Sequence, residues 1–549
     1  MQSVASIRWT KIGKYLSREG NDVSVLTNQK IFDSPLGPGQ LARRDKTIEK
    51  DALYFTDYLE VQPGLPLKLL YSVWNRKKHR SEVRRQGRGE VVQPHASWKT
   101  SYLKSALIAK AALAQYGFLA DSYDVVISTF DPLWPHMVAR GLKERNRNLV
   151  WVADFRDPVF GPSRFEEDAA RGWAAEVTQT ADVVLYVGED GNGSLDIPAE
   201  CPVMQLSNGF DADDVPRGSN RNVDKFRITY TGTLYSEEKC VQNLISLFFL
   251  IQEMIDSCLL DASDVEFVYA GSTPSAFDAQ IEAAGPLSFA HKNLGLIPRG
   301  DALKLQQSSA LLSIATWNTS EQQGVATGKV WEYLMSGVPI VGTCTGEVPN
   351  SRMKEILEDS HGGVMLEECE VERDTPSVVE FIRQKYAEWK RTGTTTVPTS
   401  WCYLSSYTHE ALASKVYAAT AVNARGIFRL VWDGDKAEIE GLSTVFDLLG
   451  EMVASDEIDG SKVELCCLGE GTTEGLRLVP RTAPFSVISL PALTFSDKES
   501  LKGASFDLTR GGVLSENSGQ LRADILSAYR AYVSDGGHLV GQKGVPPKA

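Results

Sequence analysis

From about residue 5 to residue 421 the chain alternates short, Val/Ile-rich apolar runs with amphipathic helical patterns. No other feature narrows the fold as much. Runs that are nearly continuous in apolar residues suit strands buried on both faces, and helices between them make each connection a crossover. The reading is parallel α/β sheet. It places a helix over residues 5–19, with Trp9, Ile12 and Leu16 on one face and Gly20 as its stop. Strands follow at Asp22–Thr27, Asp124–Thr129, Leu149–Phe155, Ala181–Val187 and Val203–Leu206. Asn208 to Asp211, then Asp213 to Asn222, is polar with Gly and Pro and reads as a linker. A second series has strands at Arg227–Thr231, Val265–Ala270, Leu311–Ala315, Val338–Val341 and Gly363–Leu366. Helical patterns at 376–390 and 405–421 close it.

One element is missing. A doubly wound domain opens with a strand and a Gly-rich turn before its first helix. Here the helix starts almost at Met1. The expectation is that the first strand of the first domain is absent, or that another segment takes its place. Residues 424–549 read as a further small α/β domain. Its strands are placed at Phe428–Trp432, Val463–Leu468, Phe485–Leu490 and His538–Val540, and its helices at 442–454 and 519–533. Cys466 and Cys467 fall in one of these strands and read as buried, inert thiols.

A chain of 549 residues exceeds what one core supports and implies about three or four domains. A net charge of −14 argues against general nucleic-acid binding. The eight Cys form no C-x-x-C pair and the seven His no H-E-x-x-H, so neither a zinc site nor a disulfide framework is expected. There is no run of 18 apolar residues for a membrane helix and no apolar leader, so the expected location is the cytoplasm. One local exception stands out. Residues 74–88 carry seven Lys/Arg against one Glu, next to Trp74 and an apolar run from Leu65 to Tyr71. Such a stretch suits a peripheral contact with an anionic inner membrane face, and equally a solvated basic insertion.

Two loops suit a phosphate. Thr327-Gly328-Lys329 leads into a short helix carrying Glu332 and ended by Gly337. A helix start offers free N–H groups and a positive dipole end, Lys329 adds a charge, and Glu332 lies one turn on, within reach of ribose hydroxyls. Gly232-Thr233 follows the first strand of the second series, where Gly lets backbone approach a phosphate, and Lys239 is a few residues on. Each loop alone also fits a plain turn with a solvated Lys. In the first domain, Ala153-Asp154-Phe155-Arg156-Asp157-Pro158 ends one strand, and Asp131-Pro132-Leu133-Trp134-Pro135-His136 follows another. Asp157 and His136 are candidates to meet a substrate hydroxyl or carry a proton, against plain structural roles.

Taken in order and spacing, these pieces resemble the GT-B glycosyltransferases, in particular the family 4-like (glycosyltransferase group 1) enzymes. The pieces are Ile7-Arg8-Trp9, Gly20 to Thr27, Ile127–Thr129 with Pro132 and His136, Ala153–Pro158, Tyr230–Thr233, Tyr269–Gly271, Gly295–Pro298 and Gly328–Pro339. The resemblance implies two Rossmann-like domains facing a cleft: an acceptor-side domain at 1–212 and a nucleotide-sugar domain at 213–404. It also implies that 405–423 crosses back to the first domain, leaving 424–549 as an addition. It further implies a retaining transfer to a glycan or lipid-linked acceptor, with no metal and no cofactor beyond the nucleotide-sugar donor. Lys329 and Lys239 would neutralise the departing diphosphate, Glu332 would bind the ribose, and His136 and Asp157 would face donor sugar or acceptor. The family's second Glu, eight residues before this one, is replaced by Gly324. A non-catalytic binding or scaffold protein, and a nucleotide-sugar epimerase of the same fold, are the alternatives.

Overall fold

The computed structural model describes residues 4–28, 51–62, 98–157, 168–187, 203–214, 223–237, 240–423, 428–433, 439–455, 463–468, 486–490, 506–508 and 518–534, with a few single positions between. The basic stretch 74–88, Lys239 and the strand expected at 538–540 lie outside the described residues.

The chain is α/β, and every sheet of more than two strands is parallel. In the N-terminal region, helix α1 (Val4–Arg18) leads into β1 (Ser24–Asn28), which pairs with β2 (Asp57–Val61). A separate four-stranded sheet runs β3 (Val125–Phe130), β4 (Val150–Phe155), β5 (Val183–Tyr186), β6 (Val203–Gln205). Helices α2 (Trp98–Tyr116), α3 (Trp134–Arg145) and α4 (Asp168–Thr180) connect these strands. No described strand joins the β1–β2 pair to the β3–β6 sheet. All of β4 is buried, whereas β1 is half-buried along its length. The expected central strand therefore has no described counterpart, and the strands that would flank it are the less covered ones.

The central region holds six strands: β7 (Phe226–Thr231), β10 (Val265–Ala270), β11 (Ala290–Asn293), β12 (Leu311–Trp317), β13 (Ile340–Thr345) and β14 (Gly363–Glu367). A small hairpin of β8 (Ser236–Glu237) and β9 (Cys240–Val241) sits between the first two in sequence. The spatial order is β11-β10-β7-β12-β13-β14. Numbered within the sheet, that is 3-2-1-4-5-6, the dinucleotide-fold order, which reverses direction between β7 and β12. Helices α5 (Ile245–Asp256), α6 (Pro274–Ala284), α7 (Arg299–Gln307), α8 (Lys329–Ser336), α9 (Arg352–Asp359) and α10 (Val371–Thr392) cover it. β13 begins two residues after the expected Val338. Gly337 ends α8 at φ 66°, and Pro339 brings no N–H to a ladder, so regular pairing starts at Ile340. The helix expected at 405–421 is two pieces, α11 (Trp401–Ser405) and α12 (His409–Asn423). The break lets Phe210 bridge to Thr408 and lets Tyr407 stack on Trp331 at 3.9 Å.

Helix α12 lies against the N-terminal region. Its Leu412, Ala413 and Val416 share one core with Ile12 and Tyr15 of α1 and Val152 and Leu185 of the sheet. Its opposite side, Tyr417 and Ala418, packs on Val431, Cys466 and Leu468. These last belong to the C-terminal sheet, ordered β17 (Ser486–Leu490), β16 (Val463–Leu468), β15 (Phe428–Asp433), β18 (Phe506–Asp507). Helices α13 (Ile439–Ala454) and α14 (Ser518–Ser534) cover the other face. Cys466 and Cys467 are fully buried, and burial pushes the Cys467 thiol up to about 12. No helix among the described residues is long and apolar enough to cross a membrane.

Candidate functional site

The end of β7 and the start of α8 meet where the strand order reverses, the place where open parallel sheets bind ligands. Tyr333 of α8 fixes the join: its hydroxyl accepts the Thr231 N–H at 2.7 Å. Val330, Trp331 and Leu334 bury the same helix in the core beneath. The two phosphate-suited loops, about a hundred residues apart in sequence, are thereby brought into contact. Gly232 takes φ +116°, and a Cβ there would sit 2.4 Å from Lys329 Cε. Only glycine serves at that spot, for backbone conformation and for space.

Lys329 Nζ donates to Tyr230 Oη at 2.7 Å and to the Thr233 carbonyl at 3.0 Å, and it lies 4.5 Å from the Tyr230 ring centre. No carboxylate lies within ion-pair distance of it among the described residues. Part of the side chain reaches solvent, but the ammonium end is enclosed, and burial drags its pKa down to about 7. Nearby, the Thr327 hydroxyl is buried without a hydrogen-bond partner. Thr233 Oγ1 sits 2.7 Å from Ser272 Oγ, and Gly328 is the N-cap of α8.

Glu332 is one turn into α8 and is held by Arg299 at the start of α7. Arg299 Nη2 and Nε reach its Oε1 at 2.6 and 3.1 Å. The third nitrogen, Nη1, reaches Asp214 Oδ2 at 3.1 Å. Asp214 in turn accepts from Lys11 Nζ of α1 at 2.7 Å. Lys11 also meets Asp51 and Asp211, at 2.7 and 2.8 Å. Lys14 meets Asp211 and Asp213, at 2.8 and 2.7 Å. Lys11 and Lys14 are 1% and 2% exposed, so the network is an interior one. Burial would raise the Asp211 carboxyl. Its bonds from Lys11, Lys14 and Tyr15 outweigh that and hold it well below the usual carboxylate range. The stretch read as a linker thus begins as an ion-paired turn joining α1 to α7. Residues 215–222 lie outside the described part.

His136 lies in the N-terminal region. It is fully buried in α3, against Phe155 at 4.9 Å and Trp173 at 5.8 Å between ring centres. Nδ1 lies 2.6 Å from Ser128 Oγ, Nε2 has no partner, and burial pushes its pKa down to about 3. A neutral, enclosed imidazole in this setting fits packing better than proton transfer. Asp157 lies just past β4, partly exposed, with Oδ2 at 2.7 Å from Arg156 Nη1. Arg299, Tyr230 and Asp214 were missed in the sequence. The only signal for Arg299 was its place directly after Gly295-Leu296-Ile297-Pro298.

No family model matches this sequence, and no curated protein matches it. Among solved structures, the chain is similar to the N-terminal domain of Candida albicans trehalose-6-phosphate phosphatase. The identity is 11%, with 76% of this chain and 93% of that chain covered and a TM-score of 0.47. It is similar to a putative UDP-N-acetylglucosamine 2-epimerase from Listeria monocytogenes at 13% identity, covering 76% and 93%, TM-score 0.41. A Burkholderia multivorans trehalose 6-phosphate synthase aligns at 10% identity over 59% and 76%, TM-score 0.41. At these identities and scores they assign neither a family nor a substrate.

Proposed function

We propose that the chain is a glycosyltransferase that takes its sugar from a nucleotide-sugar. The reading rests on one observation above the others: an enclosed lysine without a carboxylate, set between a glycine loop and a helix N-terminus where the strand order reverses. An isolated buried ammonium is costly unless an anion completes it. A diphosphate does so, taking the Lys329 charge and the free N–H groups of α8 on one side and the Gly232-Thr233 backbone on the other. Glu332, one turn on and held by Arg299, is then presented to the ribose hydroxyls. The chemistry follows from that seat. An acceptor hydroxyl attacks the anomeric carbon, the bond from that carbon to the diphosphate oxygen breaks, the hydroxyl proton passes to the departing diphosphate, and Lys329 with the helix N–H groups stabilises the developing charge. The resemblance of 1–421 to GT-B enzymes supports the same reading. The acceptor belongs to the N-terminal region, a glycan or lipid-linked molecule.

The test is a titration of the full chain with UDP-, GDP- and ADP-sugars, read by thermal stability and calorimetry. Ligand binding to the native state raises its midpoint by mass action. One nucleotide class is expected to bind, and Lys329→Ala and Glu332→Ala to lose it. Donor turnover that needs no acceptor would mark an epimerase. Binding to none of the donors by a folded chain would refute the enzyme and leave a scaffold.

A further inference from the structure

Asp154 and Arg156 sit at the carboxyl end of β4, and Arg8 of α1 reaches them from the adjoining helix. Arg8 is 2% exposed, yet only one of its nitrogens is engaged. Nη2 donates to the Leu206 carbonyl at 2.7 Å and approaches Asp154 Oδ1 at 3.3 Å. Among the described residues, Nε and Nη1 have no partner. Asp154 is not Arg8's alone, because Trp9 Nε1 and Thr129 Oγ1 donate to its other oxygen at 2.6 and 2.9 Å. Arg156 repeats the pattern. Nη1 meets Asp157 and Nη2 the Asp131 carbonyl at 2.9 Å, while Nε is buried without a partner.

Buried donors left unpaired cost free energy, and such groups call for an occupant. Water or a sugar hydroxyl can fill one donor at a time. Neither relieves two guanidiniums gathered at one strand end, Arg8 against Asp154 and Arg156 two residues further along the chain. A planar or tetrahedral oxyanion does both, since guanidinium forks match its oxygens. We infer that Arg8 and Arg156 form an oxyanion subsite of the N-terminal region, which holds a phosphate or carboxylate carried by the acceptor. Its place fits that role. It lies past the carboxyl end of a buried parallel strand. The assignment to the acceptor rests on the glycosyltransferase reading; the subsite itself does not.

The experiment uses the full chain carrying Lys329→Ala, so that the diphosphate seat does not compete. Inorganic phosphate, glucuronate and glucose are titrated by calorimetry. Saturable binding of an anion, with none of glucose, is expected. Phosphate alone would point to a phosphorylated acceptor, glucuronate alone to a uronic acid. Arg156→Gln on the same background is expected to weaken the bound anion about tenfold, the loss of one charge-assisted hydrogen bond. Arg8→Gln is expected to weaken it at least as much. If Arg8→Gln fails to fold by circular dichroism, Arg156→Gln decides alone. Two results overturn the subsite: no saturation by either anion, or unchanged affinity in the folded variants. The donor reading would survive both, since it is tested on the Lys329-intact chain with nucleotides.

Discussion

On the proposed reading, Lys329 makes donor binding a proton-uptake reaction. In the empty chain its pKa is pulled from 10.5 to about 7 by burial. A bound diphosphate favours the charged form and returns it toward 10.5. At pH 8 about nine in ten empty molecules hold the neutral amine, so each donor bound takes up about 0.9 of a proton. Between pH 7 and 9 the affinity is expected to fall up to about tenfold per pH unit, or about 1.4 kcal/mol each. Calorimetry in two buffers of different ionisation enthalpy reads the uptake directly. The stability of the empty chain carries the opposite sign. The folded pKa lies below the unfolded one, so between about 7 and 10.5 the unfolded chain binds more protons and stability rises with pH. Below pH 7 the penalty is complete. Roughly 5 kcal/mol follows from the two values, reduced to about 2–4 because part of the side chain reaches solvent and its hydrogen bonds compensate. Lys329→Met should therefore stabilise the empty chain at pH 6 and abolish donor binding, with the gain fading toward pH 10. An affinity flat from pH 7 to 9, or equal proton uptake in Lys329→Met, would refute the argument.

Other outcomes follow from the same geometry. Gly232→Ala places a methyl against the Lys329 side chain in a backbone conformation alanine resists, and should abolish donor binding in calorimetry while the fold persists. Glu332→Gln should weaken binding of the ribonucleoside diphosphate more than of its 2′-deoxy analogue, whereas a purely structural role would weaken both alike. Asp211→Asn strips a shared counter-charge from two buried lysines, and should cost about 3–5 kcal/mol in denaturant unfolding. His136→Phe should leave kcat and KM of transfer near wild type, since the ring meets no substrate; a large fall in kcat would restore its catalytic reading.

The strands were legible because burial on both faces writes itself locally. Val265–Ala270 and Val463–Leu468 have the bounds the apolar runs suggest. The two phosphate-suited loops were legible as well, since glycine, lysine and a helix start carry their own chemistry. Their contact was not, because Tyr333 binding Thr231 spans 102 residues. The junction was the largest miss. Asp211 and Asp214 look like surface residues in a polar stretch, and only the approach of Lys11, Lys14 and Arg299 from distant elements encloses them, while Asp213 stays about half exposed. His136 is the converse case: a lone histidine after a strand says nothing of the aromatic rings that surround it.

Helix α12 lacks the wet face a surface helix keeps, since between residues 409 and 420 only Glu410 is exposed. It is the outer layer of the N-terminal sheet and, at the same time, the missing layer of the C-terminal one. The last 120 or so residues are therefore no detachable tail. Cutting the chain near residue 423 would bare Tyr417 and Ala418, together with the part of Leu16 that now packs beside them. A shortened form would present a sticky apolar stripe on the back of the N-terminal region, and loss of activity in it would report on solubility before it reported on catalysis.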